Sequence, residues 1–141
     1  MDKYTEANIV FSKFCNSYNQ LRKDLPIRPS EMGVLNIIVQ RKGKFTPAII
    51  ADLMDVSKPM ITAHITSLEK MGYIYKEPSE NDKRSFYILP TEKARQLVAE
   101  SSQHMRSTLK QLENSLGKEA FDLLTILLDQ MNHIIRESNG E

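Results

Sequence analysis

The sequence contains one cysteine, Cys15, in 141 residues, so no structural intrachain disulfide can brace the fold. It has neither a long apolar run nor a signal-peptide pattern, which predicts a soluble cytoplasmic protein with no membrane partner. A strong excess of one charge is missing too. At a net charge of +1, any contact with DNA requires positive charge placed locally rather than a basic chain overall. His64, His104 and His133 form no ligand-spaced pair and no cysteine cluster accompanies them, so neither a metal site nor a cofactor is expected. The P-loop, the dinucleotide glycine fingerprint and the nucleophile elbow are all lacking, which argues against an enzyme. A hydrophobic content of 40% over this length suffices for one core and not for two large domains.

The chain is organised around the stretch from Val56 to Leu89. In VSKPMITAHITSLEKMG, Ser57 is a good N-cap, Pro59 falls in the first turn, and Gly72 can take the left-handed position that ends a helix. The spacing predicts a helix from Lys58 to about Met71. Ile61, Ile65 and Leu68 share its inward stripe. Pro59, Thr62, Ala63, Thr66 and Lys70 occupy the other side, a small and polar face that lets another surface approach the backbone, as a DNA major groove would. Next, Tyr73–Lys76 and Ser85–Leu89 are β-rich, and Pro78, Ser79, Asn81 and Asp82 between them are turn formers, giving a hairpin with a charged tip.

Upstream, Phe11, Phe14, Tyr18, Leu21 and Leu25 repeat at steps of three and four over Tyr4–Leu25, either a coiled-coil seam or a helix packed on its own domain. Ser30 is read as the cap of a second helix with Met32, Leu35, Ile38 and Val39 inward. Thr46-Pro47 opens a third that runs to about Met54, with Ile50, Leu53 and Val56 set to pack on the next helix and Asp55 at a sharp turn. Helix, tight turn, helix is a helix-turn-helix arrangement. Downstream, Thr91 caps a helix that meets no breaker until Gly117, a rod of roughly 36 Å suited to spanning two bodies. The last helix, Lys118 to about Glu137, carries Phe121, Leu124, Leu127, Leu128, Met131, Ile134 and Ile135, with Leu123 and Ile126 widening the apolar surface beyond what one neighbour covers. Its pairing with a second copy would make a symmetric homodimer.

A helix ending LEKMGYI, a charged turn with Asp82-Lys83-Arg84, a strand, and LPTEKA opening a long helix together resemble the winged helix-turn-helix of the MarR family of bacterial transcription regulators. The resemblance runs from about Pro29 to Ala94. It implies a mainly α fold with a small β-hairpin wing, a DNA-binding domain over 29–90, and a helical dimerisation region over 1–28 and 91–141. Phe11, Phe14, Tyr18, Phe121, Leu124, Leu127, Leu128 and Met131 are the residues expected at the dimer interface. By position, Ser57, Lys58, Pro59, Thr62, Ala63 and Thr66 fall on the recognition helix. Asp82, Lys83 and Arg84 fall on the wing, where the carboxylate would hold the guanidinium for the minor groove. Ser57, Lys58 and Thr62 could bond phosphates or base edges, and Pro59 and Ala63 could touch thymine methyls. Many family members have arginine where this chain has Ala63, a departure that removes a guanine contact. The function implied is that of a homodimeric repressor on a pseudo-palindromic operator in double-stranded DNA, released by a small aromatic or amphipathic effector. Two alternatives stand beside it: an oxidant-sensing regulator using Cys15, and a winged-helix module for protein contacts. For Cys15 itself, a buried small hydrophobe is the favoured reading.

Overall fold

The computed structural model describes residues 1–22, 24–80 and 84–139. Among these, the chain runs α1 (Lys3–Gln20), α2 (Pro29–Gln40), α3 (Pro47–Met54), α4 (Lys58–Lys70), β1 (Ile74–Pro78), β2 (Phe86–Pro90), α5 (Glu92–Leu116) and α6 (Lys118–Ser138). Short polar side chains start four of the helices by taking up otherwise unpaired backbone N–H groups. Asp2 accepts from Tyr4 and Thr5, Thr46 from Ile49, Ser57 from Met60, and Thr91 from Ala94. The bond from the Thr5 backbone N–H is the main reason the Asp2 carboxyl titrates below its ordinary range.

The inward stripes converge on one core. Val34 and Leu35 of α2, Ile50 of α3, Ile61 and Leu68 of α4 and Ile88 of β2 are its largest fully buried side chains. Ala94 and Val98 fasten the first turns of α5 to the same cluster. The two strands pair antiparallel, from Ile74 opposite Pro90 to Pro78 opposite Phe86. The backbone N–H of Ile88 also donates to the Phe45 carbonyl at 2.8 Å, which ties the hairpin to the segment entering α3. This is the mainly α fold with a β-hairpin wing that the sequence predicts.

A second joint links α4, wing and α5. Gly72, at φ 81, lets the chain reverse after α4. The Thr91 hydroxyl donates to the carbonyls of Gly72 (2.8 Å) and Tyr73 (3.1 Å), and Lys93 Nζ donates to the Met71 carbonyl at 2.6 Å. The start of the long helix is thereby bonded to the end of α4.

Four local expectations are corrected. The first helix ends at Gln20 rather than Leu25: Arg22 turns to donate to the Pro29 carbonyl at 2.8 Å, and Leu25 leaves the seam to pack against the core. Arg28, not Ser30, is the cap position of α2, because Pro29 fits the first turn and the Glu31 carboxylate accepts from the Arg28 backbone N–H at 2.9 Å. Leu53 does not pack inward; it is 40% exposed, and Ala51 takes the buried position beside Ile50. Both strands begin one residue later than the pattern suggests, so Pro78 closes the ladder instead of belonging to the turn.

Leu68→Ala should lower stability by about 2–5 kcal/mol through lost burial and the cavity left behind. Urea denaturation followed by circular dichroism measures this, and an unchanged midpoint would contradict the packing described.

Candidate nucleic-acid interface

The turn between α3 and α4 is fixed by Asp55, the one described non-glycine residue with positive φ (φ 54, ψ 45). Aspartate tolerates this left-handed geometry better than most residues. The Asp55 backbone N–H closes onto the Ala51 and Asp52 carbonyls, and α4 restarts two residues later under the Ser57 cap. With Ile61, Ile65 and Leu68 buried, the opposite side of α4 is left outward, and Lys58, Pro59, Thr62, Ala63 and Thr66 are all exposed there; Ser57 is half-buried at the cap. The structure therefore gathers the sequence-predicted reading residues on one surface.

Hydrogen bonding refines what that surface offers. Thr62 donates its hydroxyl to the Lys58 carbonyl at 3.0 Å, and Thr66 donates to that of Thr62 at 2.9 Å. In this pose each threonine offers outward an acceptor oxygen and a methyl rather than a donor. Phosphates require donors, so Thr62 suits the amino group of adenine or cytosine better than a phosphate. Ser57 differs: its Oγ accepts from Met60, so its own O–H is available to a phosphate.

On the wing, Arg84 is exposed. It shares a small cleft of about 220 Å³ with Lys58 and Thr62, and with Thr46 and Pro47 at the start of α3. Arg84, Ser85 and Phe86 of the wing thus border a common hollow with Lys58 and Thr62 of α4. Asp82 and Lys83 lie outside the described residues, so the expected Asp82–Arg84 pairing belongs there as well. Two further lysines near the wing, Lys44 and Lys76, are paired within the domain. Lys44 lies 3.3 Å from Glu77 and over the Tyr87 ring, while Lys76 lies 3.6 Å from Glu69 and over the Phe86 ring. These exposed pairs add little stability but lower the local positive field.

The residues expected at a dimer interface remain uncovered on the single chain. Neither α1 nor α6 has a buried residue; Phe11, Phe14, Leu124, Leu127 and Leu128 are exposed, while Tyr18, Phe121 and Met131 are half-buried. Phe14 and Tyr18 stack with ring centroids 5.7 Å apart. Cys15 lies on the same helix and is exposed, not buried as its apolar neighbours suggest, because α1 packs too little of its surface within its own chain.

One arrangement has no local signature in the sequence. The end of α6 reaches the α3–α4 turn, where Arg136 Nη1 lies 2.9 Å from Asp55 Oδ1 and His133 Nδ1 lies 3.2 Å from the same oxygen. The partners are about eighty positions apart, beyond any spacing rule; only the i, i+4, i+7 spacing of Asp129, His133 and Arg136 hints at a shared polar face. Asp55, Asp129 and His133 also come within metal-ligand distance of one another. The guanidinium already neutralising Asp55 makes this a poor cation site, and the distances fit an ion-pair network.

A helix-turn-helix with its second helix turned outward, followed by a two-stranded wing, defines a winged helix-turn-helix protein. Residues 27–86 match the model of the MarR family. An uncharacterized HTH-type transcriptional regulator of Mycobacterium bovis is 26% identical over 121 residues, covering 84% of this chain and 85% of the relative. Among solved structures, Streptococcus pneumoniae FabT in complex with DNA has a TM-score of 0.74 at 19% identity, covering 96% of this chain and 99% of the other. NadR in complex with 4-hydroxyphenylacetate has a TM-score of 0.65 at 21% identity, covering 92% and 88%. Residues 27–86 thus carry a MarR-family winged helix-turn-helix domain, the kind of domain found in DNA-binding transcription regulators rather than in enzymes.

Two substitutions at Ser57 separate folding from binding. Ser57→Ala should cost about 1 kcal/mol through loss of the α4 cap, whereas Ser57→Asp should keep near-wild-type stability. The added carboxylate should nevertheless weaken DNA binding by placing negative charge beside the phosphates. Urea denaturation and fluorescence anisotropy on duplex DNA read the two effects.

Proposed function

We propose that the chain acts as a homodimeric repressor, one recognition helix per subunit entering the major groove of a pseudo-palindromic operator. The observation that carries this reading is the outward face of α4 together with Arg84, which border one hollow at the wing. The segment 29–90 serves as the DNA-binding domain, and 1–28 with 91–141 as the dimerisation body. The uncovered apolar faces of α1 and α6 support a second copy as the partner. Two reading helices must then sit about 34–36 Å apart, one turn of DNA.

An open cleft of about 1030 Å³ between α1, α2 and α5 has Tyr18, Arg22, Met32, Leu97 and Met105 among its lining. Aromatic and apolar walls, edged by Arg22, Arg106 and Lys110 and by Asp24, Glu100 and Glu113, suit a small aromatic or amphipathic effector. The likeness to NadR, solved with 4-hydroxyphenylacetate, supports the same ligand class here. Filling the cleft would shift α1 and α5 relative to the reading domain and spoil the half-site spacing, thereby releasing the DNA. Among the described residues no helix is long and apolar enough to cross a membrane.

Selection of bound sequences from random duplex DNA tests the reading. Wild type should enrich an inverted repeat, and Arg84→Ala should bind it roughly tenfold or more weakly at the same salt concentration through loss of a minor-groove contact. Failure to enrich any sequence would refute it. Leu127→Glu should yield monomers by light scattering and lose the operator with them; a dimer after this change would contradict the interface.

A further inference from the structure

Helix α6 has two opposite faces. Leu124, Leu127 and Met131 lie on one. Asp129, His133 and Arg136, spaced four and three apart, lie on the other, and this second face meets the turn that joins α3 to α4. Arg136 Nη1 donates to Asp55 Oδ1 at 2.9 Å, Nη2 reaches the Val56 carbonyl at 3.5 Å, and Asp52 lies 3.9 Å away. The Asp55 side chain is 11% exposed and that of Arg136 is 22% exposed, so the pair is largely shielded from water and its partners cannot be exchanged freely for solvent. Asp55 is also the left-handed residue whose backbone sets the angle between α3 and α4. A grip on this residue and on the next carbonyl acts on the direction of α4 rather than on surface stability alone.

We propose that Arg136 is a positioning residue for operator recognition: through Asp55 and the Val56 carbonyl it fixes the aim of the reading helix relative to the body helix that bears the dimer face. The inference rests on the reading of α4 as the major-groove helix. Each α4 reads its own half-site, but the separation of the two helices depends on how rigidly each is held to the body. Releasing Asp55 and the Val56 carbonyl from Arg136, which leaves the His133 contact at 3.2 Å, therefore loosens the required spacing and leaves single half-site contacts intact.

The test uses the full chain as wild type, Arg136→Ala, Arg136→Lys and Asp55→Asn, with the selected operator, the same operator carrying one or two inserted base pairs between half-sites, and a single half-site duplex, all at one salt concentration. Wild type should lose about tenfold or more in affinity on insertion. Arg136→Ala should reduce this penalty to about threefold or less while its half-site affinity stays within about twofold of wild type. Arg136→Lys should recover part of the penalty. Asp55→Asn, which removes the ion pair from the other side but keeps an acceptor oxygen and a residue that tolerates left-handed backbone, should lower the insertion penalty in the same direction as Arg136→Ala, even if one variant proves less stable. An unchanged insertion penalty, or a half-site affinity that falls in proportion to that of the operator, would overturn the proposal. A wild type that selects no duplex would overturn the DNA-reading assignment itself, and this is seen before any variant is made.

Discussion

The burial of Ile61, Ile65 and Leu68 is the constraint on which the rest depends. These residues press α4 against α2, α3 and the hairpin, and together with Leu35, Ile50 and Ile88 they close the core. A helix has one rotational setting that buries such a stripe, so the same contact that stabilises the domain also decides which residues face outward. Pro59, Thr62, Ala63 and Thr66 are displayed because the opposite stripe is hidden. Stability and recognition are thus two consequences of one packing event.

Aiming that face is a separate matter, and it is controlled at both ends of α4. At the start, Asp55 holds a left-handed turn and is gripped from α6 by Arg136. At the end, the Gly72 turn is bonded to Thr91 and Lys93 at the root of α5. Both long helices therefore bond to the turns that bracket the reading helix, α6 before its start and α5 after its end. Under the proposed function, a movement in the body would reach α4 as a rotation, the kind of change that alters half-site spacing without rearranging the contacts to bases.

Much of this was legible in the sequence because it is local. Ser57, Thr46 and Thr91 announce helix starts through short polar side chains, and Ile61, Ile65 and Leu68 announce the buried face through their spacing. The lateral placement of Leu53 was not legible, because on a helix of eight residues periodicity cannot separate a buried position from its neighbour. Nor could the early end of α1 be read, since Leu25 leaves the seam for the core and Arg22 bonds the Pro29 carbonyl at the start of α2. The exposure of Cys15 depends on what α1 lacks as a neighbour within its own chain. The network of Asp55, His133 and Arg136 joins groups far apart in sequence, each ordinary in its own segment, so only the folded chain brings it into view. Hydroxyl direction at Thr62 and Thr66 was likewise set by backbone carbonyls one turn earlier, a matter of rotamer rather than residue type.

The central claim is that the outward face of α4 occupies the major groove while the wing enters the minor groove. Dimethyl sulfate protection on a selected operator tests both at once, because the reagent modifies guanine N7 in the major groove and adenine N3 in the minor groove. The account predicts two patches of N7 protection about one helical turn apart, each flanked by protected adenine N3 positions. Bound DNA with no N7 protection, or with a single unpaired patch, would contradict it.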